Sequence, residues 1–241
     1  MVDLEVDRGL AVITIDRPHA RNAIAPTTMD ELDKSIDAAT DADARALVIK
    51  GAGERAFVSG GDLKELAAIR TEDEATAMAL RMRGICDRLA NFPGPVIAAL
   101  NGHALGGGAE VAMAADLRIA ADDIKIGFTQ VNLAIMPAWG GAERLAALVG
   151  RGRALLLAAS GTVLGAAEAE RLGLVDRVLP RADFDQGWRA LARSLATVPA
   201  REIKYVMSGA VPGAEAARAF ARLWVADEHW QAVEKVMSRD K

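Results

Sequence analysis

Apolar and polar positions alternate or recur along the chain in two rhythms. Short β-rich runs fall at residues 10–15, 46–50 and 95–100, with a weaker one at 117–120. Helical periodicity lies between them. Residues 27–39 open on Thr27 and Thr28 and carry Met29, Leu32 and Ile36 on one face, and a longer apolar stripe covers 72–91. Mixed strand and helix in this order predicts an α/β fold. Beyond Val131 the strand signal fades, leaving 175–179 as the clearest late strand among helices at 141–149, 184–196 and 215–236. No linker, low-complexity tract or repeat interrupts the pattern. One domain over 1–241 is expected, with a core over 1–195 and a helical C-terminal region over 196–241.

With 51% hydrophobic residues in a 241-residue chain, a sizeable core is available. The net charge of −4 comes from interspersed acids and bases rather than blocks, so neither a nucleic-acid nor a membrane partner is expected. Glu110, Arg151 and Arg153 break the apolar runs that would otherwise approach a membrane span. The first 16 residues carry Asp3, Glu5 and Asp7 before a short apolar run, unlike a signal peptide. The lone cysteine, Cys86, excludes an intrachain disulfide and a CxxC metal site, and fits a reducing compartment such as the cytoplasm. Its apolar helical surroundings predict an inert, buried thiol.

The sharpest chemical signal is Asn101-Gly-His-Ala-Leu-Gly-Gly-Gly-Ala-Glu110, between the 95–100 strand and a short apolar helix starting near Gly107. Its glycines allow backbone N–H groups to approach a ligand, and the helix start aims unpaired N–H groups and a positive dipole end the same way. A second passage, Phe57-Val-Ser-Gly-Gly-Asp-Leu-Lys64, has the same shape, with Asp62 the expected N-cap of a following helix and Gly61 a second free donor. Taken singly, each loop reads as a tight turn. Together, two N–H donors on one point would stabilise an oxyanion or enolate by about 3 kcal/mol per donor. Glu110 stands in the first turn of the short helix, three residues after Gly107 on the same face, as a candidate acid or base.

Other motifs fail on context. Gly51-Ala-Gly-Glu-Arg-Ala56 matches a degenerate dinucleotide fingerprint, but Ser59-Gly-Gly61 interrupts the helix that it needs, and no acid ends a second strand about 20 residues on. No GxSxG occurs, and His19, His103 and His229 are too scattered to pair with Ser59 or to suggest a metal site.

On these residues the sequence resembles the crotonase superfamily, the enoyl-CoA hydratases and isomerases, over nearly its whole length. The matching blocks are Arg17-Pro-His-Ala-Arg-Asn-Ala23, Phe57 to Glu65, Pro95 to Asp116, and Pro137-Ala-Trp-Gly-Gly-Ala-Glu-Arg-Leu145. The resemblance implies a spiral of ββα units with a helical C-terminal region that builds homotrimers, commonly paired into hexamers. It implies an acyl-CoA thioester substrate and no separate cofactor or metal. Gly61 and Gly107 then correspond to the oxyanion-hole donors, Glu110 to the first catalytic glutamate, and Gly61, Asp62, Leu63 and Lys64 to the segment along the thioester. Arg21, with Ala23 beside it, and Arg239 occupy places where the family holds CoA.

Two positions depart from that pattern. Gln130 stands where two-glutamate hydratases carry their second glutamate. A carboxamide has no titratable proton, so it positions a water rather than moving a proton. Trp139 stands where many relatives have glycine, and an indole there would shorten or reshape the acyl pocket. The expected activity is hydration of a 2-enoyl-CoA, with double-bond isomerisation or acyl-CoA decarboxylation as the rival chemistry on the same enolate. A catalytically weak acyl-CoA-binding protein is the third reading.

Overall fold

The computed structural model describes residues 1–209 and 211–239, the side chain of Arg239 excepted. Strands β1 (Val2–Asp7), β2 (Leu10–Ile15), β3 (Ala46–Gly51), β4 (Ala56–Val58), β5 (Val96–Leu100), β6 (His103–Leu105), β7 (Leu117–Ala121), β8 (Lys125–Gly127), β9 (Val163–Gly165) and β10 (Arg177–Leu179) form two sheets. Their orders are β1-β2-β3-β5-β7-β10 and β4-β6-β8-β9. The helices are α1 (Pro26–Asp41), α2 (Glu72–Ala90), α3 (Gly107–Met113), α4 (Gly141–Val149), α5 (Arg151–Ser160), α6 (Ala166–Arg171), α7 (Phe184–Leu195), α8 (Val198–Met207), α9 (Gly213–Trp224) and α10 (Asp227–Arg239).

The connectivity is a spiral. β3, β5 and β7 pair in parallel in the first sheet, and each turns a corner into β4, β6 or β8 of the second before a helix closes the unit. Strands β2, β3 and β5 are buried along almost their whole length and read as continuous Val/Ile/Leu/Ala runs, as parallel strands covered on both faces must. Cys86, fully buried on α2, has its thiol pushed up to about 12 by that burial, which leaves it un-ionised and inert.

The strand corners carry the site, and asparagine side chains hold the first of them. Asn101 accepts from the Gly51 N–H at 2.8 Å and donates to the Gly53 carbonyl at 2.7 Å. Asn22, itself at φ +57°, donates to the Ala56 carbonyl at 2.7 Å and the Ala52 carbonyl at 3.0 Å. These amides satisfy backbone groups that the turn between β3 and β4 leaves without ladder partners. Arg118, almost fully buried on β7, bonds Asp176 at 2.6 Å and the Ala115 carbonyl at 2.9 Å, tying the end of α3 to the approach of β10.

The sequence reading of 215–236 as one helix is corrected: Val225 and Ala226 separate α9 from α10. Asp227 and Glu228 explain the restart, since two acids favour the positive end of a new helix. Around α8–α10, large apolar side chains such as Ile203, Met207, Phe220 and Trp230 remain exposed. No described helix is long and apolar enough to cross a membrane.

Candidate active site

Glu110 is the centre of the arrangement. α3 is buried from Gly107 to Met113, and Glu110 is only 2% exposed. Its carboxylate accepts four hydrogen bonds. Oε1 receives the Gln130 Nε2 at 2.9 Å and the Ala138 N–H at 3.3 Å, and Oε2 receives the Trp139 N–H at 2.7 Å and the Gly141 N–H at 3.0 Å. Burial raises the carboxyl's pKa above its usual value, and the bonds from Gly141, Trp139, Gln130 and Ala138 offset only part of that rise. Gly141 opens α4 against this carboxylate. A Cβ there would lie 2.4 Å from the Glu110 Cγ, so only glycine admits the approach.

Gln130 sits in the 3-10 turn Thr129–Leu133 and is buried with its Nε2 on Glu110. Its Oε1 has no hydrogen-bond partner among the described residues, an unsatisfied acceptor beside the carboxylate.

The two glycine loops meet. A Cβ on Gly60 would lie 3.3 Å from the Gly107 nitrogen. Gly108 packs so closely on β4 that a Cβ would fall 1.8 Å from the Val58 carbonyl oxygen. The bridge between Ile24 and Gly61 uses the Gly60 carbonyl and the Asp62 N–H, and the Gly61 N–H donates to no described residue. Gly107 begins α3, and its N–H likewise donates to no described residue. Two donors unused among the described residues thus lie on adjoining loops, and Gly107 stands within one helical turn of Glu110.

An open groove of about 600 Å³ runs to Gly61, lined in part by Arg21, Ala23, Asp62, Leu63 and Lys64. Leu63 is exposed, Ala23 is buried, and Arg21 ends a 3-10 turn at φ +52°. Gly107, Glu110 and Trp139 do not line this groove. The indole of Trp139, 7% exposed, packs against Gly107 instead. A Cβ on Gly107 would lie 2.2 Å from its Cζ3, and one on Gly61 would lie 3.9 Å from its Cζ2. The side chain of Arg239 lies outside the described residues.

The helix expected after Asp62 is corrected to a single 3-10 turn, Glu65–Ala68. Asp62 Oδ1 still accepts from the Lys64 and Glu65 N–H groups at 3.2 and 3.4 Å, so the capping chemistry is present on a shorter element. Its Oδ2 pairs with Arg17 Nη2 at 2.9 Å, and Arg17 Nη1 donates to the Ala23 carbonyl at 2.6 Å. Arg17 therefore clamps the two walls of the groove together, a role that its place in the Arg17–Ala23 block does not reveal from sequence. Partial burial would raise the Asp62 pKa, but the bonds from Arg17, Glu65 and Lys64 outweigh it and hold the carboxyl below its ordinary value. Among the described residues no cluster of three or more His, Cys, Asp or Glu side chains is placed to hold a metal ion.

The profile of the enoyl-CoA hydratase/isomerase family matches residues 5–232. A short-chain-enoyl-CoA hydratase of Clostridium acetobutylicum is 38% identical over 195 residues, which cover 80% of this chain and 74% of the relative. Mitochondrial methylglutaconyl-CoA hydratase of Mus musculus is 38% identical over 176 residues, covering 73% of this chain and 56% of that one. Among solved structures, enoyl-CoA hydratase from Bacillus anthracis superposes with a TM-score of 0.90 at 29% identity, covering 99% and 96% of the two chains. Enoyl-CoA hydratase from Thermoplasma volcanium gives 0.86 at 33% identity, covering 97% and 96%. The ββα spiral, the paired glycine loops and these similarities agree, and the chain belongs to the enoyl-CoA hydratase/isomerase family, the crotonase fold.

Proposed function

We propose that this enzyme adds water to a 2-enoyl-CoA. The observation that carries the reading is Glu110, buried and held by four donors beside the unused N–H groups of Gly61 and Gly107. In the proposed reaction the thioester carbonyl accepts from those two N–H groups. Glu110 takes a proton from water as its oxygen bonds to the β-carbon, and the electron pair moves onto the carbonyl oxygen as an enolate. The protonated Glu110 then returns that proton to the α-carbon. The unsatisfied Oε1 of Gln130 supports its role as acceptor for the water, which needs a second partner to hold its orientation. Arg21, Ala23, Asp62, Leu63 and Lys64 would hold the CoA portion along the groove, and Arg239 is proposed as a further basic contact from the family resemblance alone. CoA is part of the substrate, and the chemistry needs no other cofactor.

A second reading is favoured by one observation, the uncharged amide of Gln130. Isomerisation or decarboxylation through the same enolate needs no second carboxylate. The test is loss of the enoyl-thioester absorbance with a short 2-enoyl-CoA, run beside Glu110→Gln and Gln130→Glu. Turnover that disappears in Glu110→Gln supports hydration on one carboxylate. No turnover in the parent with a gain in Gln130→Glu overturns it in favour of the isomerase or decarboxylase reading. Binding of acyl-CoA without turnover of any thioester would leave the weak binding protein.

We also propose that further copies of the chain cover the apolar surface of α8–α10, as a homotrimer or a pair of trimers. Exposed Phe220, Trp224 and Trp230 lie there in one aromatic cluster. A cytoplasmic location is consistent with the lone, buried Cys86.

A further inference from the structure

We propose that the indole of Trp139 is a fixed end wall of the acyl site and confines the protein to short acyl thioesters. The inference rests on the reading of Gly61 and Gly107 as the donors to an acyl-CoA thioester and adds what limits the substrate. The six-membered ring packs against Gly107 and reaches the place of a Cβ on Gly61. Its Cη2 lies 2.5 Å from the place of a Cβ on Gly107 and 4.0 Å from that of one on Gly61. We infer that an acyl chain whose carbonyl rests on both N–H groups meets this ring as it extends, because the ring lies against both glycines.

The backbone that carries the ring is pinned on both sides. The Trp139 N–H donates to Glu110 Oε2 at 2.7 Å, and its carbonyl accepts from Arg144 Nη1 at 3.2 Å. Arg144 is itself anchored by an ion pair to Asp87 on α2. Moving the backbone of Trp139 to admit a longer chain would strip Glu110 of its shortest hydrogen bond. Size selection and the state of the carboxylate are thereby tied to one residue. The flanking Gly140, at φ +86°, and Gly141, pressed on Glu110, leave the segment little room to shift.

The test uses saturated thioesters, so that binding is read apart from turnover. Calorimetric Kd values for butyryl-CoA and octanoyl-CoA are compared in the parent, Trp139→Phe and Trp139→Ala, with kcat/KM for the matching 2-enoyl-CoA substrates. We expect the parent to bind octanoyl-CoA at least about tenfold more weakly than butyryl-CoA, the size of penalty that a few excluded methylenes produce. Trp139→Ala brings the ratio close to one, and Trp139→Phe falls between. Should Trp139→Ala fail to fold, the Phe variant carries the comparison. Equal binding of both thioesters by the parent, or an unchanged ratio in the folded variants, overturns the proposal. The expected Kd ratios without enoyl-CoA turnover would sink the hydratase reading and leave the wall standing.

Discussion

Gln130 donates its Nε2 to Glu110 Oε1 at 2.9 Å, and its own Oε1 has no partner among the described residues. One amide thus stabilises the carboxylate and offers an acceptor to whatever stands beside it. Because burial raises the Glu110 pKa, the acid limb of the kcat/KM profile should lie above the usual carboxylate range. Gln130→Leu removes a bond that lowers this pKa, so the limb should move further toward neutral. A pH profile of both proteins checks the sign, and a limb unmoved by the substitution would detach Gln130 from the carboxylate's titration.

Glu110→Gln should reduce kcat by at least about a hundredfold with little change in affinity for a saturated acyl-CoA. The readouts are steady-state turnover and calorimetric binding. A KM effect alone would assign the residue to binding.

Gly107→Ala places a methyl group against the Trp139 ring, at 2.2 Å from Cζ3. The double variant with Trp139→Ala should recover part of the lost stability, a coupling of about 1 kcal/mol or more in a double-mutant cycle. Gly108→Ala has no such relief, since its neighbour at 1.8 Å is the Val58 carbonyl oxygen. It should be the more destabilising of the two single substitutions in urea unfolding.

Asp176→Ala leaves the buried guanidinium of Arg118 without its carboxylate partner. The expected cost is about 3 kcal/mol in chemical denaturation. A change under about 1 kcal/mol would mean that solvent reaches Arg118 through the half-exposed side of the pair.

The Arg17–Asp62 pair gives a pH signature of stability. The folded-state pKa of Asp62 is depressed, so its contribution is present above the unfolded value of about 3.9 and is lost as pH falls through the lower folded value. The stability difference between the parent and Asp62→Asn should therefore shrink only in that acid window. A difference constant from neutral pH down to full acid unfolding would contradict the assignment.

Much of this was legible beforehand. Residues 10–15 and 141–149 stand as strand and helix where their patterns placed them, because burial on one face or both leaves a periodic trace. Glu110 and both glycine loops were singled out from local sequence, and the structure brings the two loops into contact. β1 was passed over, although Val2, Leu4 and Val6 alternate with three acids, as befits an edge strand half in water. The three-residue strands of the second sheet, β4, β6, β8 and β9, are too short to show a period and exist because neighbouring strands pair with them. The partners of Glu110 were not legible either. Three of its four donors are backbone N–H groups of Ala138, Trp139 and Gly141, which carry no residue-type signature.

The asparagine-braced corner also bears on the order in which the molecule can be assembled. Gly51 is 50 residues from Asn101, whose amide completes its turn, and Glu110 waits for donors 28 to 31 residues further along. No stretch of chain can build the reaction centre from its own neighbours. Each closing contact must first overcome the entropy of a long loop. The centre is complete only once the chain from Gly51 through Gly141 is in place. Recovery of activity during refolding should lag behind recovery of secondary structure.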